Sequence, residues 1–226
     1  MSPNPSRTAA PAKRRRNSDL TRGDILEVAT KEFADKGYAG ARIDVIAERT
    51  HTTKRMIYYY FTDKEGLYQA VLERAYGEIR SQERDLDIEG LDPVAAIRAL
   101  AELTVDHHEA HPDFIRIVAN ENMLRGEHIA QSAVLTGLGA PAADLLSKIL
   151  TDGQAQGLFR TDVDALDVHM IISGYSVFRM ANRYTWQALF DRDMTAPETR
   201  EHHRTMLADM VEAFLCARPK QPLPHP

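Results

Sequence analysis

The stretch from Ala41 to Leu67, ARIDVIAERTHTTKRMIYYYFTDKEGL, limits what this chain can fold into more than any other part of it. A helix is predicted from about Ile43 to Thr50, with Ile46 and Ala47 facing inward, after which Thr50-His51-Thr52 interrupts. Thr53 stands where an N-cap belongs and opens a second short helix, Lys54 to Phe61. Thr62-Asp63 ends that helix, and Asp63 caps a longer one running to about Gln82. The second short helix carries Lys54, Arg55, Tyr58, Tyr59 and Tyr60 within two turns. Cations and phenols packed that densely at a helix start suit the floor of a DNA major groove and the phosphates beside it. Ile57 and Phe61 sit at core spacing, whereas three successive tyrosines cannot all face one core, so at least one is expected to be exposed.

The charge distribution agrees. The net charge of −5 argues by itself against a polyanionic partner, but residues 1–80 hold 15 Lys and Arg against 11 Asp and Glu, a balance of +4, and the rest of the chain carries −9. One basic lobe facing nucleic acid and one acidic lobe with another task are expected. No apolar run approaches the roughly 18 residues of a membrane span, and the charged N-terminus is followed by no apolar segment of a secretory signal. The single cysteine, Cys216, rules out an intrachain disulfide and fits a reducing cytoplasm. Its apolar surroundings (Val211, Phe214, Leu215) predict a small buried hydrophobe.

Residues 1–17 contain Arg7, Lys13, Arg14, Arg15 and Arg16 and no acid, and read as a disordered basic arm, either lying on DNA or merely solubilising. A first helix is expected from a Ser18 or Asp19 cap to Lys36, with Ile25, Leu26, Ala29, Phe33 and Ala34 inward and Gly37 as the stop. Beyond Gln82, Asp92-Pro93 opens a helix to about Ala110. Others follow at about 113–124, 127–135, 141–156, 163–189 and 197–217. No segment alternates as a strand does. The fold class is therefore all-α, with about nine or ten helices: a three-helix DNA-binding domain over 18–64, a helical domain over 65–217 and a flexible tail over 218–226.

Gly37-Tyr38, Ile46-Ala47, Thr53-Lys54, Ile57-Tyr58-Tyr59-Tyr60-Phe61 and Asp63-Lys64-Glu65-Gly66-Leu67 together resemble the TetR family of transcriptional regulators. His111-Pro112, the run Glu121 to Gly126, and Asp152-Gly153 through Gly157 are similar to the regulators grouped with the pyrimidine-responsive repressor RutR. Two departures stand out. The family's Ala-Gly-Val turn is Thr50-His51-Thr52, which asks His51 to take a positive φ at some cost, and the usual Thr opening the second helix is Ala41, with Arg42 beside it as the substitute contact.

By position, Lys54, Arg55, Met56 and Tyr58 point toward bases; the resemblance places Thr53, Tyr59, Tyr60 and Lys64 near phosphates. It further implies a repressor released from a palindromic operator on double-stranded DNA by a small molecule. It implies a homodimer formed through the last two helices. Candidate effector contacts are His107, His108, Phe114, Asn122, Tyr175, Phe178, Arg179 and Asn182. Arg179, a cation on an apolar helix, is expected either to hold an anionic ligand or to pair with Glu121 or another acid. His107 and His111 are spaced to share a metal, but no third ligand follows by spacing, so surface histidines are the preferred reading and no metal or cofactor is expected. No catalytic fingerprint is present, so an enzyme is not expected. An activator, or a helical interaction module that has lost DNA binding, remains as the alternative.

Overall fold

The computed structural model describes the backbone of residues 10–217 and, within them, the side chains of all but residues 10–17 and 140–142. Among the described residues there are twelve helices and no strand: α1 Ala10–Gly40, α2 Ile43–Arg49, α3 Lys54–Phe61, α4 Lys64–Asp85, α5 Pro93–Ala110, α6 Pro112–Met123, α7 Glu127–Gln131, α8 Ala133–Gly137, α9 Gly139–Ala155, α10 Ala165–Ala181, α11 Arg183–Phe190 and α12 Pro197–Cys216. The all-α class is as expected; the helix count is higher. Among the described residues no helix is long and apolar enough to cross a membrane.

The chain divides into two compact units. One holds the chain up to Arg74 with Ile117–Ser132; the other holds Ala75–Arg116 and everything from Ala133 on. The division therefore falls ten residues beyond the 64/65 boundary read from sequence, and it returns most of α6, with α7, to the first unit.

In the first unit the core is built from Ile25, Ala29 and Phe33 of α1, Ile46 of α2, Ile57 and Phe61 of α3, and Leu67, Tyr68 and Val71 of α4. The Phe33 and Tyr68 rings lie 4.9 Å apart, and His128 of α7 closes on Tyr38 and Tyr68 at 4.5 and 4.8 Å. Glu121, fully buried on α6, caps α7: its Oε1 accepts the backbone N–H groups of His128 (2.8 Å) and Ile129 (3.2 Å). α1 stops as a regular helix at Gly37, whose φ of 67° and ψ of 173° fall in a region essentially confined to glycine.

In the second unit α5, α9, α10 and α12 enclose Ile97, Leu100, Ala101, Leu146, Ile149, Val168, Ile172, Leu207, Val211 and Leu215. Along α5 and α12 a charged seam brackets this core: Arg98 pairs with Glu212 (2.6 Å) and Asp209 (2.7 Å), and Arg204 with Glu102 (2.7 Å).

Four expectations are corrected. α1 begins at Ala10, so residues 10–17 have helical backbone where a disordered arm was expected, and Ser18 and Asp19 lie inside a helix rather than capping one. Alanine, lysine and arginine are strong helix formers, and Pro11 is tolerated in a first turn; the remainder of the arm, residues 1–9, and the tail over 218–226 lie outside the described residues. The single helix expected over 163–189 is two, because Asn182 (φ −99°, ψ 5°) turns its amide back onto the Phe178 carbonyl at 3.0 Å and leaves the helical path. The helix expected over 127–135 breaks at Ser132, whose hydroxyl donates to Glu73 at 3.0 Å. Cys216 is exposed, not buried, because the inward stripe of α12 ends with Leu215.

Gly66 allows α4 to start directly behind α3: a Cβ there would sit 2.2 Å from the Phe61 carbonyl oxygen. Gly66→Ala should therefore destabilise the protein by about 1–3 kcal/mol. Gly23→Ala, on α1 with nothing within 4 Å, should stabilise it by about 0.5–1 kcal/mol. Chemical denaturation of both variants reads the contrast.

Candidate nucleic-acid interface and effector site

α2 has seven residues and α3 eight, well under the roughly 12–15 at which a helix begins to hold by itself. Both depend on tertiary anchors. Glu32 of α1, only 4% exposed, supplies those of α2. One carboxylate oxygen accepts the Arg42 backbone N–H at the N-cap (3.3 Å), and the other accepts Nη1 of Arg49 in the last turn (3.3 Å). The turn that follows is closed by Thr50 Oγ1 donating to the Ile46 carbonyl (2.7 Å) and by the Thr52 N–H on the Ala47 carbonyl (2.9 Å). His51 takes a φ of 50° there, the positive value expected of it. Thr53 caps α3, its hydroxyl accepting the Met56 N–H at 3.2 Å. At the other end Thr62 holds a φ of 69°, an outlier for a β-branched residue. α3 thus has a non-glycine residue at positive φ on each flank.

With Ile57 and Phe61 inward, most of the rest of α3 faces solvent. Thr53, Lys54, Arg55 and Met56 are exposed, as are Tyr58 (43%) and Tyr59 (76%). Tyr60 is half-buried, its hydroxyl 3.1 Å from Ser18 Oγ of α1. Ser18, Thr21, Thr53, Arg55, Tyr59 and Tyr60 line one open cleft between α1 and α3. Neither Ser18, read from sequence only as a helix cap, nor Thr21 was a site candidate, because their place beside α3 depends on α1 continuing past Ser18. Arg42 is exposed beside α2 and forks onto Asp44. Lys64 differs from the rest: it lies 5.0 Å over the Tyr38 ring and donates to the Ala39 carbonyl (3.4 Å), and burial lowers its pKa. Its ammonium is already engaged within the protein.

The second unit brings three of the effector candidates together. His107 and His108 are buried at the end of α5, and the buried Phe114 ring meets them edge-on at 5.8 and 5.5 Å. His107 Nδ1 pairs with Gln82 Oε1 at 3.0 Å while its buried Nε2 has no partner. Burial keeps both rings neutral, pushing His107 down to about 3 and His108 to about 4, with the Arg80 charge adding to each. Arg179 is 2% exposed and takes the alternative of an internal partner: the acid is Glu109 (2.6 Å), not Glu121, and the Met194 carbonyl accepts from the same nitrogen at 2.6 Å. Tyr175 is half-buried with its hydroxyl unpartnered. Phe178 is 51% exposed, Asn182 spends its amide on its own helix, and Asn122, exposed on α6, belongs to the first unit. Those three do not join the cluster. Among the described residues no group of three or more His, Cys, Asp or Glu is placed to hold a metal ion.

A cavity of about 20 Å³ lies among α4, α5, α9 and α10, room for about one water. Its polar wall is Arg80, Glu83, Thr104, His169 and Ser173. Arg80 and Glu83 form an ion pair of 2.6 Å with both side chains nearly buried. Their i, i+3 spacing is indistinguishable in sequence from a solvated helix pair, which is why neither was a candidate.

Two measurements follow. Glu32→Ala leaves the Arg42 N–H without its buried acceptor and should cost about 1–3 kcal/mol, read by urea denaturation, with Glu32→Gln losing less. His107 and His108 titrate near 6.5 when unfolded but near 3 and 4 when folded, so between those values the unfolded chain binds more protons. Their contribution is intact above pH 6.5 and is lost as pH falls, by up to about 1.4 kcal/mol per pH unit for each histidine. Denaturation midpoints should decline steadily from pH 6.5 to 4.5.

Comparison with known proteins agrees with this layout. Residues 25–71 match the family of bacterial regulatory proteins of the tetR type, and residues 93–211 match the tetracyclin repressor-like C-terminal domain. The HTH-type transcriptional repressor NicS of Pseudomonas putida is 34% identical over 88% of this chain and 93% of its own length. RutR of Escherichia coli is 32% identical over 50% of this chain and 53% of its own. The crystal structure of the transcriptional regulator SCO4942 of Streptomyces coelicolor superposes with a TM-score of 0.67, at 29% identity, over 86% of this chain and 98% of its own. The chain belongs to the TetR family of DNA-binding transcriptional regulators.

Proposed function

We propose that this regulator is a repressor that holds a palindromic operator as a homodimer and leaves it when a small molecule occupies the second unit. The observation that carries the reading is the outward face of α3, where Lys54, Arg55, Met56 and Tyr58 are exposed while Ile57 and Phe61 fix the helix from behind. An arginine or lysine reaching guanine O6 and N7 discriminates by about 1–3 kcal/mol. Thr53, Tyr59 and Tyr60, with Ser18 and Thr21 across the cleft, offer hydroxyls suited to the flanking phosphates. The name of NicS as a repressor supports the sign of regulation.

Dimerisation is supported by helices that are apolar on two sides. Val168 and Ile172 of α10 and Leu207 and Val211 of α12 are buried within the chain, yet Leu166, Met170, Phe178 and Met210 on the same helices are exposed. Exposed apolar side chains on two such helices suit a two-fold interface. For the effector, we place its contacts at the cavity walled by Arg80, His169 and Ser173, with His107, His108 and Phe114 next to it and Tyr175 and Arg179 as further candidates. A cavity that holds one water must widen to admit a ligand. α4 carries Arg80 and Glu83 and also follows directly on α3, so widening favours a position of α4 in which two recognition helices no longer match grooves about 34–36 Å apart. Linkage then requires the ligand to bind the DNA-free state more tightly.

Selection from a randomised duplex pool should enrich a palindrome with the wild type and lose it with Lys54→Ala/Arg55→Ala; no enrichment by the wild type, or binding indifferent to salt, contradicts the reading. Leu166→Glu/Met170→Glu should sediment as a monomer and lose the palindrome while keeping its helical content.

A further inference from the structure

The surface expected to meet DNA contains an acid that the reading above does not use. Asp44, in the first turn of α2, accepts Nε (3.2 Å) and Nη2 (2.7 Å) of Arg42 in a fork and lies 3.9 Å from Lys54 Nζ. The two cations come from separate elements, one at the N-cap of α2 and one at the first position of α3. All three side chains are substantially exposed, so nothing in the core requires the acid. A carboxylate facing a polyanion opposes binding to every sequence alike. Interaction with the α2 dipole accounts for an acid in this turn but not for the fork on Arg42, nor for the reach to Lys54.

Geometry supplies a reason for it. An arginine on a flexible stem can find a phosphate on any duplex; one held as a planar fork is already ordered and loses less freedom where the docked geometry suits it. Where the geometry does not suit, the cation must leave Asp44 and strand a carboxylate near phosphate. The Arg42 guanidinium beside Asp44 holds its carboxyl down to about 2, so the charge is present at any working pH. We infer that Asp44 is a positioning and specificity-determining residue: it holds Arg42 and Lys54 in one arrangement and weakens binding to every sequence that does not match it. The inference rests on the DNA-binding reading above.

The test compares Asp44→Asn with wild type on two probes at several salt concentrations. One probe is the duplex enriched by the wild type; the other is a shuffled duplex of the same length and composition. Asp44→Asn should bind the shuffled duplex about three- to tenfold more tightly, with the salt slope steeper by about 0.9, the increment of one freed phosphate contact. Affinity for the enriched duplex should stay level or fall, so the ratio of the two drops by at least about three- to tenfold. In an Arg42→Ala background the same substitution should move the ratio much less, because the fork is already gone. An exposed ion pair contributes little to folding, so Tm should stay level. A lowered Tm with an unchanged ratio makes Asp44 a helix-start residue only and overturns the assignment, as does a ratio within about twofold of wild type at equal Tm. A wild type that enriches no duplex overturns the DNA-binding reading instead.

Discussion

The carboxylate of Glu32 is the contact on which the recognition surface depends. α2 and α3 are too short to persist as free helices, and each offers little apolar area: Ile43, Ile46 and Ala47 on one, Ile57 and Phe61 on the other. Burial of those residues sets which faces turn inward but does not fix the angle of α2. Glu32 does that by meeting α2 at its first free N–H and again at Arg49 one helix length away. The Thr50 turn, the Thr53 cap and the Asp63 cap, whose carboxylate accepts the Gly66 N–H at 2.7 Å, then pass that placement along the chain to α3 and α4. Each link leaves one fewer orphan backbone group in a motif that is mostly helix ends.

The second unit answers a different demand. Its core is ordinary aliphatic packing, but three polar groups are buried in or beside it: Arg80 with Glu83, Arg179 with Glu109, and the paired rings of His107 and His108. Replacing such pairs with apolar residues is often neutral or stabilising, so stability alone does not explain them. Buried charges beside a small cavity are costly to leave and are repaid when a polar ligand completes their coordination. A ligand-driven switch of the kind proposed needs α4 to have a second arrangement of similar energy, and the Arg80–Glu83 pair is the internal contact that would open to reach it.

Much of this was legible in the chain, for reasons that differ by element. α3 and its flanks were readable because local chemistry decides them: Thr53 caps, Ile57 and Phe61 share a face, and Asp63 starts the next helix. The positive φ of His51 was legible through the resemblance, since the family's turn carries a glycine at that place. The break at Asn182 was hidden, since apolar residues continue on both sides and no Gly or Pro marks it. The early start of α1 was hidden by Ser18-Asp19, which imitates a cap in the middle of a helix. Arg80, Glu83 and Asp44 were missed because burial, or a neighbour on another helix, gives each its meaning, and a linear pattern carries neither. Among the effector candidates, Asn122 and Phe178 looked like His107 and His108 in sequence; only packing separates them.

The central claim is that α3 reads base edges from the major groove. Methylation interference on the bound duplex tests it most directly, because guanine N7 lies in that groove and adenine N3 in the other. The account predicts that methylated guanines block binding in two clusters, one per half-site, about one helical turn or a multiple of it apart. Interference confined to adenine N3, or none at either position, would contradict it.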